Sequence, residues 1–167
     1  MTDLTEHLPR LRRYARALTG ERFAADDLVQ DTLERALSRW TLFKRGSKLD
    51  AWLIAIMHNI FINQIRAEKA RPQTVAIDEA PAGPAVRETG SDALAMRDLE
   101  RALAQLPEEQ RAVVLLVSLE ELSYEDAGKV LGVPVGTVMS RLSRGRERLR
   151  ALMAGEPPAE SRLRVVP

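Results

Sequence analysis

The chain has 167 residues, of which 45% are hydrophobic and 4% aromatic, with no cysteine and a formal net charge of +1. This length suits one ordinary domain or two small ones, and the hydrophobic share excludes a chain that is disordered throughout. The lack of cysteine excludes disulfides, thiolate zinc sites and cysteine nucleophiles, and it is compatible with a reducing cytosol. The nearly neutral charge argues against a general coat for nucleic acid, although it is compatible with a local basic site.

No segment has the character of a targeting or membrane sequence. The N-terminus carries charges throughout and lacks the apolar centre of a signal peptide. The longest apolar run, Ala51 to Met57, is too short to cross a bilayer. We therefore expect a cytoplasmic protein that has no membrane partner.

Helical periodicity begins in the N-terminal part of the chain. Apolar residues at helical spacing predict a first helix from near Leu8 to Gly20. A second helix is predicted over residues 24–40. Its core face is expected to comprise Val29, Leu33, Ala36, Leu37 and Trp40.

A third helix is predicted over residues 48–70, after a loop. Ser47 is expected to cap this helix, with Asp50 three residues on in a position like that of a capping box. The first half of the helix is apolar nearly all round, which predicts the central buried helix of the N-terminal block.

Proline and glycine interrupt the helical pattern between Arg71 and Gly90. This stretch has no apolar periodicity, and its composition predicts a flexible linker. The predicted order is an N-terminal helical domain (1–70), the linker (71–90), a C-terminal helical domain (91–154) and a tail (155–167).

Four further helices are predicted after the linker. Ser91 is expected to cap the first, which carries Leu94, Leu99, Leu103 and Leu106. Pro107 suits the first position of the second helix. Ser123 is expected to cap the third, Gly132 ends it, and Pro134 opens the last one. No strand-type alternation is longer than a few residues, so the predicted fold class is all-α, with two small helical domains on a flexible linker.

The segment from Ser123 to Leu142 has the spacing of a helix-turn-helix. The small Gly128 lets two helices cross closely, and Gly132 supplies the unusual backbone angles of the turn. Val138 is the apolar contact expected from the second helix. Any tight helical hairpin shares this pattern, so the polar face of the last helix is what points to DNA.

That polar face carries short hydroxyls and guanidiniums. It comprises Ser140, Ser143 and Arg144, flanked by Thr137, Arg141 and Arg148. Serine permits close approach to base edges, and arginine makes bidentate contacts to guanine or holds phosphates. The pattern predicts a local DNA-binding face. For Arg148 and Arg150, a solvated helix end favoured by the helix dipole explains the charge equally well.

The second predicted helix has an acidic surface, which would repel DNA. The usual preference of acids for helix N-termini explains Asp26 and Asp27, whereas Asp31 and Glu34 lie deeper in the helix. A basic protein partner is the functional interpretation of these deeper acids.

The third predicted helix places Trp52, Asn59, Asn63 and Arg66 on one face. Trp52 is expected in the core. The two asparagines either hydrogen-bond internally or meet a ligand, because burying an amide without a partner is costly. A second nucleic-acid face here is compatible with the pattern, on weaker grounds than the first.

Four stretches in order carry a resemblance: ADDLVQDTLERAL, WLIAIMHNIFINQIR, LPEEQRAVVLL and LSYEDAGKVLGVPVGTVMSRLSRGRERL. Together, over about residues 8–70 and 92–152, they resemble a bacterial extracytoplasmic-function (ECF) sigma factor. The resemblance implies an initiation subunit of RNA polymerase that is not an enzyme by itself. Its N-terminal domain would bind the polymerase clamp and melt the −10 element, and its C-terminal domain would read the −35 element.

The resemblance also implies site residues. Core RNA polymerase would be bound by Asp27, Gln30, Asp31 and Glu34. The −10 element would be bound by Phe43, Lys44, Ser47, Lys48, Asn59, Asn63 and Arg66. The −35 element would be bound by Thr137, Met139, Ser140, Arg141, Ser143, Arg144 and Arg148. The family often has a basic residue in place of Met139 and alanine in place of Gly128. The resemblance therefore does not determine the preferred promoter sequence.

The implied partners are core RNA polymerase, promoter DNA and an anti-sigma factor, and the free chain is expected to be a monomer. No cofactor, metal site or catalytic residue is expected, and His7 and His58 stand alone as surface or helix residues. One alternative is a sigma-like decoy that binds an anti-sigma factor without engaging DNA, but it should lack the basic face on the last helix. Another is a helix-turn-helix repressor, which would need a dimerisation element.

Overall fold

A computed structural model describes residues 3–72 and 90–156. Within these ranges the chain is helical and has no strand, which confirms the all-α prediction with two helical domains. The α-helices are α1 (Leu8–Thr19), α2 (Arg22–Ser38), α3 (Leu49–Ala70), α4 (Ser91–Gln105), α5 (Glu108–Val114), α6 (Tyr124–Leu131) and α7 (Val135–Met153). Short 3₁₀ turns lie at Leu4–His7 and Trp40–Leu42, and α5 continues into a π-helical turn at Leu115–Leu119. The predicted linker lies mostly outside the described residues, and so does most of the tail.

The N-terminal domain packs α1 and α3 against α2. Leu11 and Leu18 of α1 meet Leu28 of α2 and Leu53 and Met57 of α3 in the core. Gly20 ends α1 with a φ of 74°, a left-handed conformation that glycine adopts without steric cost. The first half of α3 is buried on most of its surface, as its all-round apolar pattern predicts.

The buried face of α2 differs from the predicted one. Ala25, Leu28 and Thr32 lie in the core, whereas the side chain of Leu37 is 62% exposed. Thr32 can occupy a core position because its hydroxyl donates to the Leu28 carbonyl at 2.6 Å. This internal hydrogen bond lets a polar residue lie on the buried face of α2. A core face inferred from apolar residues alone misses Thr32 and places Leu37 wrongly.

Two predicted helix caps are wrong. Lys48 is the N-cap of α3, and Ser47 lies outside it in an exposed turn. Asp50 does not complete a capping box because its carboxylate contacts His7 and Arg10. Ser91, the predicted cap of α4, is the first residue of that helix. The N-cap is Gly90, which has no side chain to accept a hydrogen bond.

The C-terminal domain places α7 against α4, α5 and α6. Ser123 caps α6, and its hydroxyl accepts from the Asp126 amide at 3.0 Å, as predicted. Gly132 ends α6 with a φ of 67°, also as predicted. Val138 is fully buried, and a Cβ on Gly128 would lie 2.9 Å from the Val133 carbonyl oxygen. The predicted helix-turn-helix is therefore present, and its crossing is tight enough to require glycine.

A second close approach joins α7 to α5. A Cβ on Gly145 would lie 2.8 Å from Cγ2 of Val114, and 3.4 Å from Cβ and the carbonyl oxygen of Gln110. Gly136, on the same helix, has nothing within 4 Å of such a Cβ. Gly145 thus sets the distance between the last helix and its domain, whereas Gly136 has no packing role.

Both histidines have environments that the sequence did not indicate. His7 contacts Asp50, so it does not stand alone. His58 is 4% exposed, and its Nδ1 is buried without a hydrogen-bond partner among the described residues. Burial lowers the pKa of His58 to about 4, because a charged imidazolium would lose its hydration. His58 is consequently a neutral core residue rather than a surface group.

The first prediction concerns Gly145. Replacing it by alanine should lower the free energy of unfolding by about 1–3 kcal/mol, since the methyl group must displace Val114 or the α5 backbone. Gly136→Ala is the matched control and should change stability by at most about 1 kcal/mol, in the stabilising direction. Urea unfolding of both variants measures the difference. Equal stabilities would show that α7 does not approach α5 this closely.

The second prediction concerns His58. Above pH 6.5 the imidazole is neutral in the folded and unfolded chains, so its contribution to stability is constant there. As the pH falls from 6.5 towards 4, only the unfolded chain takes up the proton, and stability is lost. Between pH 7 and pH 5 this loss should be about 2 kcal/mol, and it should be absent in His58→Leu. Urea unfolding at both pH values measures it, and equal losses in the two proteins would contradict the assignment.

Candidate functional site

The polar face of α7 is open to solvent. Ser140, Ser143 and Arg144 are exposed, and the side chain of Met139 is 52% exposed. Val138, Leu142 and Gly145 form the buried side of the same helix. The opposition between these sides agrees with the predicted arrangement, although Val135, which the pattern groups with the core, is 41% exposed.

The flanking positions of this face are less free than its centre. Thr137, Arg141 and Arg148 are half-buried. Nη2 of Arg141 lies 3.5 Å from Oε2 of Glu109 on α5, so this arginine also contacts its own domain. The Ser140 hydroxyl donates to the Thr137 carbonyl at 3.1 Å and keeps its lone pairs towards solvent. The centre of the face therefore offers one exposed guanidinium, that of Arg144, beside two small hydroxyls.

The predicted acidic surface lies on α2. Asp27, Gln30, Asp31 and Glu34 are all exposed. Asp31 accepts a 3.4 Å hydrogen bond from Gln64, and Glu34 accepts one of 3.3 Å from Gln30, so both carboxylates are contacted by neutral amides. Because α2 begins at Arg22, with Glu21 as its N-cap, Asp26 and Asp27 lie beyond the first turn. The helix dipole explains them less well than the sequence suggested.

Two apolar side chains extend this surface, and the sequence interpretation missed them. Phe23 is 73% exposed at the start of α2, and Leu37 is 62% exposed near its end. With Asp27, Gln30 and Glu34 they follow steps of four and three residues, which place all five on one stripe of the helix. The spacing was visible in the sequence, but Leu37 was assigned to the core. An acidic stripe with exposed apolar ends is typical of a protein interface.

The loop between α2 and α3 is held by aromatic side chains. The ring centroid of Phe43 lies 5.2 Å from that of Trp52 and 5.6 Å from that of Trp40. Phe43 is half-buried, so its ring supports the loop rather than projecting freely from it. Lys44, Ser47 and Lys48 are exposed on this loop, and Leu42 is 68% exposed.

The outer face of α3 presents amides and a guanidinium. Asn59, Asn63 and Arg66 are exposed at intervals of four and three residues. Solvent satisfies the two amides, so neither asparagine needs an internal partner. Trp52, expected in the core, is half-buried at the base of the loop.

Two families of proteins match the chain in separate segments. A family model described as the Sigma2 domain of PhyR matches residues 4–58, which span α1, α2 and the first half of α3. A model described as Sigma-70, region 4 matches residues 96–149, which contain the helix-turn-helix. A protein of Rhodopseudomonas palustris described as ECF RNA polymerase sigma factor EcfG is 40% identical over 152 residues, covering 90% of this chain and 83% of the relative.

The chain belongs to the ECF sigma factors. A second ECF relative, SigW of Bacillus subtilis, is 31% identical over 147 residues, covering 80% of this chain and 77% of its own. These relatives confirm the family indicated by the four sequence stretches.

Solved structures agree with this membership. The sigma factor RpoE of Bartonella quintana, in complex with the anti-sigma factor NepR, has a TM-score of 0.71 and 34% identity, covering 92% of this chain and 96% of its own. The PhyRSL–NepR complex from Sphingomonas sp. has a TM-score of 0.64 and 27% identity, covering 98% and 90%.

Other kinds of site are not evident in the described part of the sigma factor. Within residues 3–72 and 90–156, no group of histidine, aspartate and glutamate could hold a metal ion. In the same ranges, no helix is long and apolar enough to span a membrane. The open faces of α2, α3 and α7 carry most of the site residues that the sequence predicts.

Proposed function

We propose that this ECF sigma factor directs core RNA polymerase to promoters by dividing two tasks between its domains. The N-terminal domain binds a basic polymerase surface through α2 and holds the −10 element. The C-terminal domain reads the −35 element through α7. The exposed Ser140, Ser143 and Arg144 in the segment that matches region 4 are the observation that carries the proposal.

The polymerase contact rests on the acidic stripe of α2. Asp27, Asp31 and Glu34 are solvated carboxylates, and none has an ion-pair partner within the described ranges. Such charges attract a basic partner over distance and fix its register, while Phe23 and Leu37 supply apolar area that becomes buried on contact. The stripe is thus suited to a positively charged protein surface and unsuited to DNA.

The −10 contact rests on the loop between α2 and α3 and on the outer face of α3. Lys44, Lys48 and Arg66 supply positive charge for phosphates. Asn59 and Asn63 can hydrogen-bond base edges or backbone. Because Phe43 is packed between two tryptophans, we assign it the support of the loop, and the exposed Leu42 is the apolar side chain that is free to meet a base.

The remaining expectations complete the proposal. The protein acts in the cytoplasm as a monomer when free of partners, and it contributes specificity rather than catalysis. An anti-sigma factor is its third partner. This expectation is supported by the RpoE relative, whose structure was solved in complex with the anti-sigma factor NepR.

A second candidate function is the sigma-like decoy. It is favoured by one observation, since the matching N-terminal family model is described as the Sigma2 domain of PhyR. A decoy has no use for an exposed base-reading face, and that face is present on α7. Run-off transcription with purified core polymerase distinguishes the two functions, because a decoy supports no initiation from any promoter.

The third prediction tests the polymerase contact. Changing Glu34 of the stripe and the adjacent Asp31 together to lysine reverses the charge of this acidic surface, so the affinity for core polymerase should fall at least tenfold while the fold is kept. Asp92 and Asp98 on α4 provide the control, since their joint change to lysine alters net charge equally. Core binding is measured with immobilised polymerase. Equal affinities of the two double variants would contradict the role of the stripe.

The fourth prediction tests base reading by Arg144. Arg144→Ala should cost roughly 1–3 kcal/mol on the preferred −35 sequence and relax the preference at one or two base pairs. Arg144→Lys keeps the charge but loses the planar guanidinium, so it should relax the preference at the same base pairs. Transcription by holoenzyme from promoters with every single −35 substitution measures this. If lysine restores the wild-type pattern, Arg144 contacts phosphate and does not read bases.

A further inference from the structure

A buried glutamate lies where the two domains meet. Glu120 is 2% exposed and follows the π-helical turn, with its amide donating to the Leu115 carbonyl at 3.0 Å. The next residue, Glu121, has a φ of 54°, which is uncommon for a residue other than glycine. A buried carboxylate requires a positive partner, because its hydration is lost.

That partner comes from the other domain. Nε of Arg10, on α1, donates to Oε2 of Glu120, and Nη2 donates to the Glu120 backbone carbonyl at 3.0 Å. The third nitrogen, Nη1, donates to Oδ2 of Asp50 at 2.7 Å, and Asp50 also contacts His7. We call His7, Arg10, Asp50 and Glu120 the interdomain cluster. One guanidinium therefore joins α1, the start of α3 and the C-terminal domain.

A second arginine makes the reverse connection. Arg111 of α5 donates to the carbonyls of Leu103, Ala104 and Leu106 at the end of α4, over 2.8–3.1 Å. Its Nη1 also donates to the Leu18 carbonyl, near the end of α1, at 3.1 Å. Both domains thus place an arginine on the other, in addition to the apolar contacts of α1 with the π-helical turn and of α3 with α6.

The cluster is only partly satisfied. Oε1 of Glu120 and the hydroxyl of Tyr14 are buried without hydrogen-bond partners among the described residues. Burial and the neighbouring Glu120 carboxylate raise the pKa of Tyr14, so the phenol stays neutral. We call the arrangement in which the two domains are in contact the closed form. In it, Arg10 is the main partner of the Asp50 and Glu120 carboxylates. Separation of the domains would expose the Glu120 carboxylate and the Arg10 guanidinium to water.

The closed form cannot serve both DNA elements at once. Elements at −10 and −35 are about 25 base pairs apart, which is roughly 85 Å along B-form DNA. A compact chain of 167 residues has a radius of gyration of only about 15 Å. The two DNA-contacting faces must therefore separate before both can engage.

We propose that the interdomain cluster is a latch that holds the free sigma factor closed, and that binding of core polymerase selects the open form in which the latch is broken. This inference rests on the proposed function for the need to open, whereas the latch itself concerns the free chain. Arg10 is the critical member, because its removal leaves the Glu120 carboxylate buried and unpaired in the closed form only. Loss of Arg10 should therefore shift the free chain towards the form in which the two domains are separated.

The chain has no cysteine, so two introduced ones can carry spin labels at chosen sites. Ser38 on α2 and Lys129 on α6 are exposed and lie in different domains. Pulsed electron spin resonance on this labelled full-length chain should give one narrow distance distribution. Adding Arg10→Ala, or Arg10→Gln if alanine impairs folding, should give a broad distribution at longer distances. Circular dichroism checks that the helices persist.

Two controls separate the latch from a general effect of charge. Lys69→Gln removes an exposed ion pair across the same boundary, in which Nζ of Lys69 lies 3.3 Å from Oε2 of Glu108. This change should leave the distance between the two spin labels unchanged. In a Glu120→Gln background, Arg10→Ala should add little, since no buried charge remains to be left unpaired. A chain that stays closed after loss of Arg10, or one that opens equally with Lys69→Gln, would overturn the latch.

The link to function has a separate readout. If only the open form binds polymerase, the apparent affinity for core should rise in proportion to the open fraction, by several-fold in Arg10→Ala. An opened variant with unchanged core affinity would overturn the regulatory role. If neither protein binds core, the proposed function fails, while the distances in the free chain still decide whether the latch exists.

Discussion

The approach of α7 to α5 at Gly145 is the contact on which the presentation of the polar face of α7 depends. Because a Cβ on Gly145 would lie 2.8 Å from Cγ2 of Val114 and 3.4 Å from Gln110, α7 has no room to move closer to α5 at this point. Leu142 and Val138 fix the same helix one and two turns earlier. The neighbouring Arg144 is therefore directed away from the domain by packing, and no hydrogen bond of its own is needed to orient it.

The separation of charge follows from this arrangement. The chain is nearly neutral, yet α2 exposes four carboxylates and α7 carries five arginines. Each of these helices buries one face in its own small domain, which leaves the opposite face free to be specialised for a partner. Neutrality overall is thus compatible with an acidic surface on α2 and a basic surface on α7.

Local features of this fold could be predicted from the sequence, and features that depend on distant residues could not. Ser123 and Gly132 define α6 through contacts within a few residues, and both were predicted correctly. The capping box predicted at Ser47 and Asp50 is absent, and the Asp50 carboxylate is engaged by His7 and Arg10, some forty residues earlier in the chain. The polar face of α7 was predictable from periodicity, but the burial of Glu120 depends on the other domain and leaves no periodic signal.

The aromatic cluster at the loop before α3 has a spectroscopic consequence. Trp40 and Trp52 are the two tryptophans of the chain, and their ring centroids lie 6.1 Å apart in an edge-on arrangement beside Phe43. All of the protein's indole emission therefore originates at one place, next to the basic loop. Unlabelled sigma factor accordingly carries a built-in optical probe of that loop, whereas α7 contains no tryptophan.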